Sequence, residues 1–161
     1  MRSIGKALFD TGPDSRLQPP VRAFRTMLLL AQRLRFLMDE RLRPDGLTTQ
    51  QAALLTVVVA FGEPSLGEAA TALGTSHQNA AQLVAALQRK GLLEVLPDPT
   101  DGRRRRLVVT EESARYWAGR DEDDAAAVAQ WFSALSTEEL DLLCTLAGRV
   151  LGGIDQHRAE R

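Results

Sequence analysis

Ser65 to Thr110 reads SLGEAATALGTSHQNAAQLVAALQRKGLLEVLPDPTDGRRRRLVVT, and this stretch decides the fold. Ser65-Leu66-Gly67-Glu68 has the form of a capping box, in which the serine oxygen accepts a backbone N–H three residues on and the glutamate reaches back. A short helix through Leu73 follows. Gly74 supplies the backbone freedom a tight turn needs, and Thr75-Ser76-His77-Gln78 offers a second box with Thr75 or Ser76 as N-cap. In the next helix Ala80, Leu83, Val84 and Leu87 fall at i, i+3, i+4 and i+7, so one stripe faces inward and Gln78, Asn79, Gln82 and Gln88 lie off it. Arg89-Lys90-Gly91 closes that helix with basic residues and a C-terminal glycine. Leu92 to Leu96 is an extended run, Pro97 to Gly102 a turn, and Arg103 to Val109 a return strand. Two helices joined by a turn and followed by a hairpin make a winged helix-turn-helix.

The chemistry of the exposed positions points to nucleic acid. Asn and Gln donate and accept together, which matches the N6 and N7 edge of adenine in the major groove, and free N–H groups at a helix start favour phosphate. Candidate contacts are therefore Thr75, Ser76, His77, Gln78, Asn79 and Gln82 on the second helix, and Arg103, Arg104, Arg105 and Arg106 on the wing. His77 either touches DNA or decorates the turn. Side chains alternate along a strand, so Arg103 and Arg105 point one way and Arg104 and Arg106 the other, with at least one pair toward solvent or phosphate. If all four contacted phosphate in both subunits of a dimer, the salt slope would approach roughly −7, as an upper limit.

The run from Gly91-Leu92-Leu93-Glu94 through Asp98-Pro99-Thr100-Asp101-Gly102-Arg103 to Leu107-Val108-Val109-Thr110-Glu111-Glu112 resembles the wing signature of MarR-family transcriptional regulators. That resemblance implies a dimer whose N- and C-terminal helices form the interface. It also implies that Asp101 pairs with Arg103 to stabilise the wing, and that a wing arginine reaches the minor groove. A small-molecule effector between the dimer helices and the reader, and a repressor acting on a palindromic operator, are further implications. Two positions depart from the family pattern: Gly102 stands where a basic residue is frequent, and Ala86 where arginine is.

The rest of the chain fits one core plus an oligomerising part. At 161 residues and 44% hydrophobic content, a second independent core is not expected. The net charge of −1 hides a strong asymmetry: residues 76–110 carry six basic and three acidic groups, residues 111–161 five and eleven. The reader is positive, as binding to a polyanion requires. The reading divides the chain into an arm (1–19), an N-terminal dimerisation helix (20–46), the winged helix-turn-helix (47–110) and C-terminal helices that complete the dimerisation region (111–161).

Pro20 fits a first helical turn, and the helix it opens runs from Val21 to about Arg43. Thr48-Thr49-Gln50-Gln51 caps a helix to Phe61 that is apolar nearly all round and is expected to be buried. Thr110 caps a helix from Glu111 to about Phe132, interrupted by the acidic run Arg120 to Asp124. Ser136-Thr137-Glu138-Glu139 opens the last helix. Cys144 sits on its apolar stripe without a basic neighbour, which predicts a buried structural thiol rather than a redox sensor. Tyr116, Trp117, Trp131 and Phe132 are expected in core or interface.

Catalysis finds no support in this composition. His77 and His157 are the only histidines, and no phosphate loop, metal motif or cofactor signature occurs. No secretory signal is visible and the longest mainly apolar run, Ala52 to Phe61, is far too short to cross a bilayer, so a cytoplasmic location without membrane contact is expected. The alternative function is a winged-helix module that docks its arginines on an acidic protein and binds no DNA.

Overall fold

The computed structural model describes Gly12 and residues 15–160, and these divide into two compact units, one ending at Ser113 and one beginning at Ala114. The arm assigned to residues 1–19 lies largely outside the described residues.

In the first unit, α1 spans Pro19–Leu42 and starts one residue before the expected proline, with both prolines in its first turn. A 3-10 turn, Arg43–Asp45, joins it to α2, Thr49–Ala60. α3 is Leu66–Ala72 and α4 is His77–Arg89. The antiparallel hairpin consists of β1, Leu93–Pro97, and β2, Arg105–Val109, in a register that sets Leu93 opposite Val109 and Pro97 opposite Arg105.

Local chemistry explains these boundaries. Thr48 and Ser65 form complete capping boxes with Gln51 and Glu68, so both helices start where their orphan N–H groups find acceptors. α3 stops at Gly74, whose φ of 61° lets the Gly74 N–H reach Thr71 O and the Thr75 N–H reach Ala70 O. This is the paired closure that a left-handed residue permits. Gly91 ends α4 in the same way, against Gln88 and Leu87.

The core is built where these elements meet. Leu42, Leu54, Leu55, Leu87, Leu93 and Leu107 are all under 2% exposed. Each such side chain contributes about 1.5–3 kcal/mol by leaving water. α2 is not buried all round, contrary to the expectation from its composition. Leu54, Leu55 and Val58 face the core, whereas Val59 and Phe61 are 65% and 61% exposed, because only one side of the helix meets the hairpin and the reader helices.

The second unit contains most of α5 (Glu111–Ala118), then α6 (Asp121–Trp131) and α7 (Thr137–Ala159). The break expected within the acidic run falls ahead of it, at Gly119-Arg120. Residues 121–124 instead form the first turn of α6, where the Glu122 and Asp123 carboxylates meet the positive end of the helix. Arg120 stacks on Tyr116 at 5.5 Å and binds Asp124 at 3.2 Å, and Tyr116 meets Trp117 edge to face. α7 opens on the expected box of Ser136 and Glu139. Cys144 is exposed, which corrects the buried placement: the described residues leave the apolar stripe on which it lies uncovered.

Candidate nucleic-acid interface

α4 presents its amide face as the periodicity requires. Ala80 and Leu87 are fully buried and Val84 nearly so, while His77, Gln78, Gln82 and Gln88 are exposed. Ser76 is the N-cap and accepts the Asn79 N–H at 3.1 Å. The second box expected at Thr75 to Gln78 does not form. Asn79 Nδ2 donates to Thr75 Oγ1 at 2.7 Å instead, so these two half-buried residues brace the entrance of the helix and are less open to a base edge than Gln78 or Gln82. They also line a cavity of about 150 Å³ between α2 and α4, with Thr49, Gln50 and Leu83.

Both ends of the reader are tied down. Lys90 Nζ donates to Gly46 O at 2.7 Å, fixing the end of α4 to the turn that follows α1. Asp39 of α1 accepts from Thr49 N and Oγ1, each at 2.7 Å, which fixes the start of α2. Thr110 Oγ1 donates to Gly91 O and accepts from the Ser113 N–H, locking the base of the hairpin to the end of α4.

The wing tip is organised by Asp98. Its Oδ1 accepts from Thr100 N, Thr100 Oγ1 and Asp101 N, and these bonds, those from Thr100 first, hold its carboxyl below the ordinary range. Asp101 accepts the backbone N–H of Arg103 at 3.0 Å, so its link to Arg103 runs through the main chain; no ion pair between the two side chains occurs among the described residues.

The four arginines are not equivalent. Arg104 pairs with Glu68 at 2.5 Å and Arg106 pairs with Glu63, whereas the guanidinium groups of Arg103 and Arg105 have no partner among the described residues. The division into two pairs is the one strand alternation anticipates, with Arg104 and Arg106 each carrying a carboxylate partner. Glu68 Oε2 receives Ser65 N and Oγ, both at 2.7 Å, besides Arg104. The Ser65 N–H foremost, then Arg104, lower the Glu68 carboxyl to about 2. Sequence reasoning gave Glu68 only a capping role and Glu63 none. One signal was available: these are the only two charged residues between 47 and 75.

A MarR-family model matches residues 45–104, which run from the turn after α1 into the wing. The transcriptional activatory protein BadR of Rhodopseudomonas palustris is 31% identical over 112 residues, 67% of this chain and 63% of its own length. The chain belongs to the MarR family. Among solved structures, a MarR/EmrR regulator from Acinetobacter sp. ADP1 superposes with a TM-score of 0.77 at 18% identity, covering 87% of this chain and 99% of that one. PcaV of Streptomyces coelicolor, in complex with its natural ligand, is 25% identical with a TM-score of 0.65, covering 88% and 96%. MepR of S. aureus, in a DNA complex, has a TM-score of 0.71 at 17% identity, covering 85% and 99%. The mostly helical architecture with one antiparallel hairpin is thus the MarR winged-helix fold. The family and the relative named here are transcriptional regulators, not enzymes.

Proposed function

We propose that this MarR-family chain is a sequence-specific DNA-binding transcriptional regulator that acts as a homodimer. The observation that carries the reading is the exposed face of Gln78 and Gln82 on α4, together with a wing on which Arg103 and Arg105 have no partner among the described residues. α4 enters the major groove and the wing meets the backbone or the minor groove. The DNA complex of MepR supports this use of the fold. Dimerisation is supported by the apolar surface each unit leaves open: Phe24 and Phe36 on α1 are 65% and 60% exposed, and Leu142 and Leu151 on α7 are 57% and 62%. Two such protomers read half-sites about one helical turn apart, on a palindromic operator.

The sign of regulation follows from where the operator lies relative to the promoter. Repression, which the resemblance implies, is the sign proposed, and activation, the role in BadR's name, is the alternative that a promoter assay distinguishes. A small-molecule effector remains part of the reading, supported by the ligand complex of PcaV, and a cytoplasmic site of action accords with a chain in which no described helix can cross a membrane.

Selection of bound duplexes from a random library tests the proposal. An inverted repeat whose affinity falls steeply with salt is the expected result. Absence of any enriched sequence, with weak binding indifferent to salt, would instead favour the module that docks its arginines on an acidic protein.

A further inference from the structure

The segment from Glu63 to Glu68 meets the wing at three points. Glu63 pairs with Arg106, Glu68 pairs with Arg104, and between them the Leu107 N–H donates to Pro64 O at 2.8 Å. Glu63 is the one non-glycine residue with positive φ, 64°, among the described residues, a conformation that side chains other than glycine and asparagine rarely adopt. It is fixed there by its own N–H, which donates to Val58 O, and by the Pro64 carbonyl bound to the wing. Glu68 is fixed by its capping box. Both acids are therefore set by the backbone before they meet an arginine. The Arg106 side chain is half-buried, at 28% exposed.

We propose that Glu63 and Glu68 are positioning residues that clasp the wing through Arg106 and Arg104, so that Arg103 and Arg105 alone supply its charge to DNA. The assignment rests on the DNA-binding reading above. An arginine already neutralised by a carboxylate releases few counterions on meeting phosphate, whereas an unpaired one releases its share. Two free arginines in each of two subunits give the wing a salt slope of about −3.6, half the figure for all four.

The test uses the full-length protein and its selected duplex, with two readouts: the slope of log affinity against log salt, and hydrogen exchange of the β2 amides. R103Q/R105Q is expected to flatten the slope by about 3.6 and leave exchange unchanged. R104Q/R106Q is expected to speed β2 exchange and shift the slope by less than about 1. E63Q/E68Q is expected to speed exchange and also steepen the slope, because it frees two more guanidinium groups per subunit; a merely structural role would loosen the wing without steepening it. Should that double variant not fold, E68Q carries the same test, since glutamine also completes a capping box. Equal flattening by both arginine pairs, or β2 exchange unmoved in E63Q/E68Q, overturns the clasp. If the wild type binds no duplex, the DNA reading fails and exchange alone decides: acceleration in R104Q/R106Q and E63Q/E68Q alike supports the clasp, and unchanged exchange overturns it.

Discussion

Replacing Gly74 by alanine isolates the conformational demand of the turn between α3 and α4. Gly74 has φ of 61°, and a Cβ added there meets no heavy atom within 4 Å, so no clash enters the comparison. Gly67 lies inside α3 with equally open space and no positive φ. Alanine at either site reduces the freedom of the unfolded chain, which favours folding by about 0.4–1 kcal/mol. That gain is common to both and cancels in their difference. Only Gly74→Ala forces a Cβ into the left-handed region, at about 1–2 kcal/mol. Gly67→Ala is therefore expected to stabilise, Gly74→Ala to destabilise, and the two to differ by about 1–2 kcal/mol. Urea unfolding followed by circular dichroism measures this. With a slope of about 2 kcal/mol per molar, the midpoints separate by roughly 0.5–1 M. Gly74→Asn should fall between them, since asparagine tolerates the left-handed region. A Gly74→Ala protein as stable as Gly67→Ala would refute the argument, because nothing but backbone conformation distinguishes the sites.

The Glu68 carboxyl, lowered to about 2 in the folded chain from an ordinary value of 4.5, gives stability that is full above pH 4.5 and fades as pH falls toward 2. NMR titration should find it ionised at pH 3, and in R104Q its midpoint should rise only partly, because the Ser65 N–H is the larger cause. Ser76→Ala removes the acceptor of the Asn79 N–H at the start of α4 and is expected to cost about 1 kcal/mol in chemical denaturation. Leu87→Ala, at a fully buried position, should cost about 2–5 kcal/mol by the same measurement, and a smaller loss would mean that the core closes over the cavity. Leu151→Glu, on the open face of α7, should yield a monomer in sedimentation while the thermal transition of the reader persists; an unchanged dimer would move the interface elsewhere.

Most of the reader was legible because its signals are local. The serine and threonine boxes at 48, 65 and 136, the glycines at 74 and 91, and the period of α4 are each decided within a few residues, and the structure shows them where the sequence places them. The wing arginines illustrate the opposite case. Strand alternation separates them into pairs, but which pair is neutralised depends on glutamates 36 and 43 residues away, and no periodicity carries that information. The Thr75–Asn79 bond was missed for a related reason, since an amide on an exposed face can equally satisfy a neighbour. For α2 and Cys144, composition says that a surface is apolar but not whether one chain suffices to cover it.

The Leu107 N–H bond to Pro64 O has a consequence for how this small sheet ends. It gives the outer edge of β2 a partner one residue long. Because proline has no N–H to return, the ladder stops there. β1 closes on Pro97, so its open edge is short as well. A two-stranded sheet with long bare edges would invite a strand from another molecule, and in a protein that concentrates along DNA such pairing would lead to aggregates. The same proline that follows Glu63 thus serves as a guard for the edge of the wing.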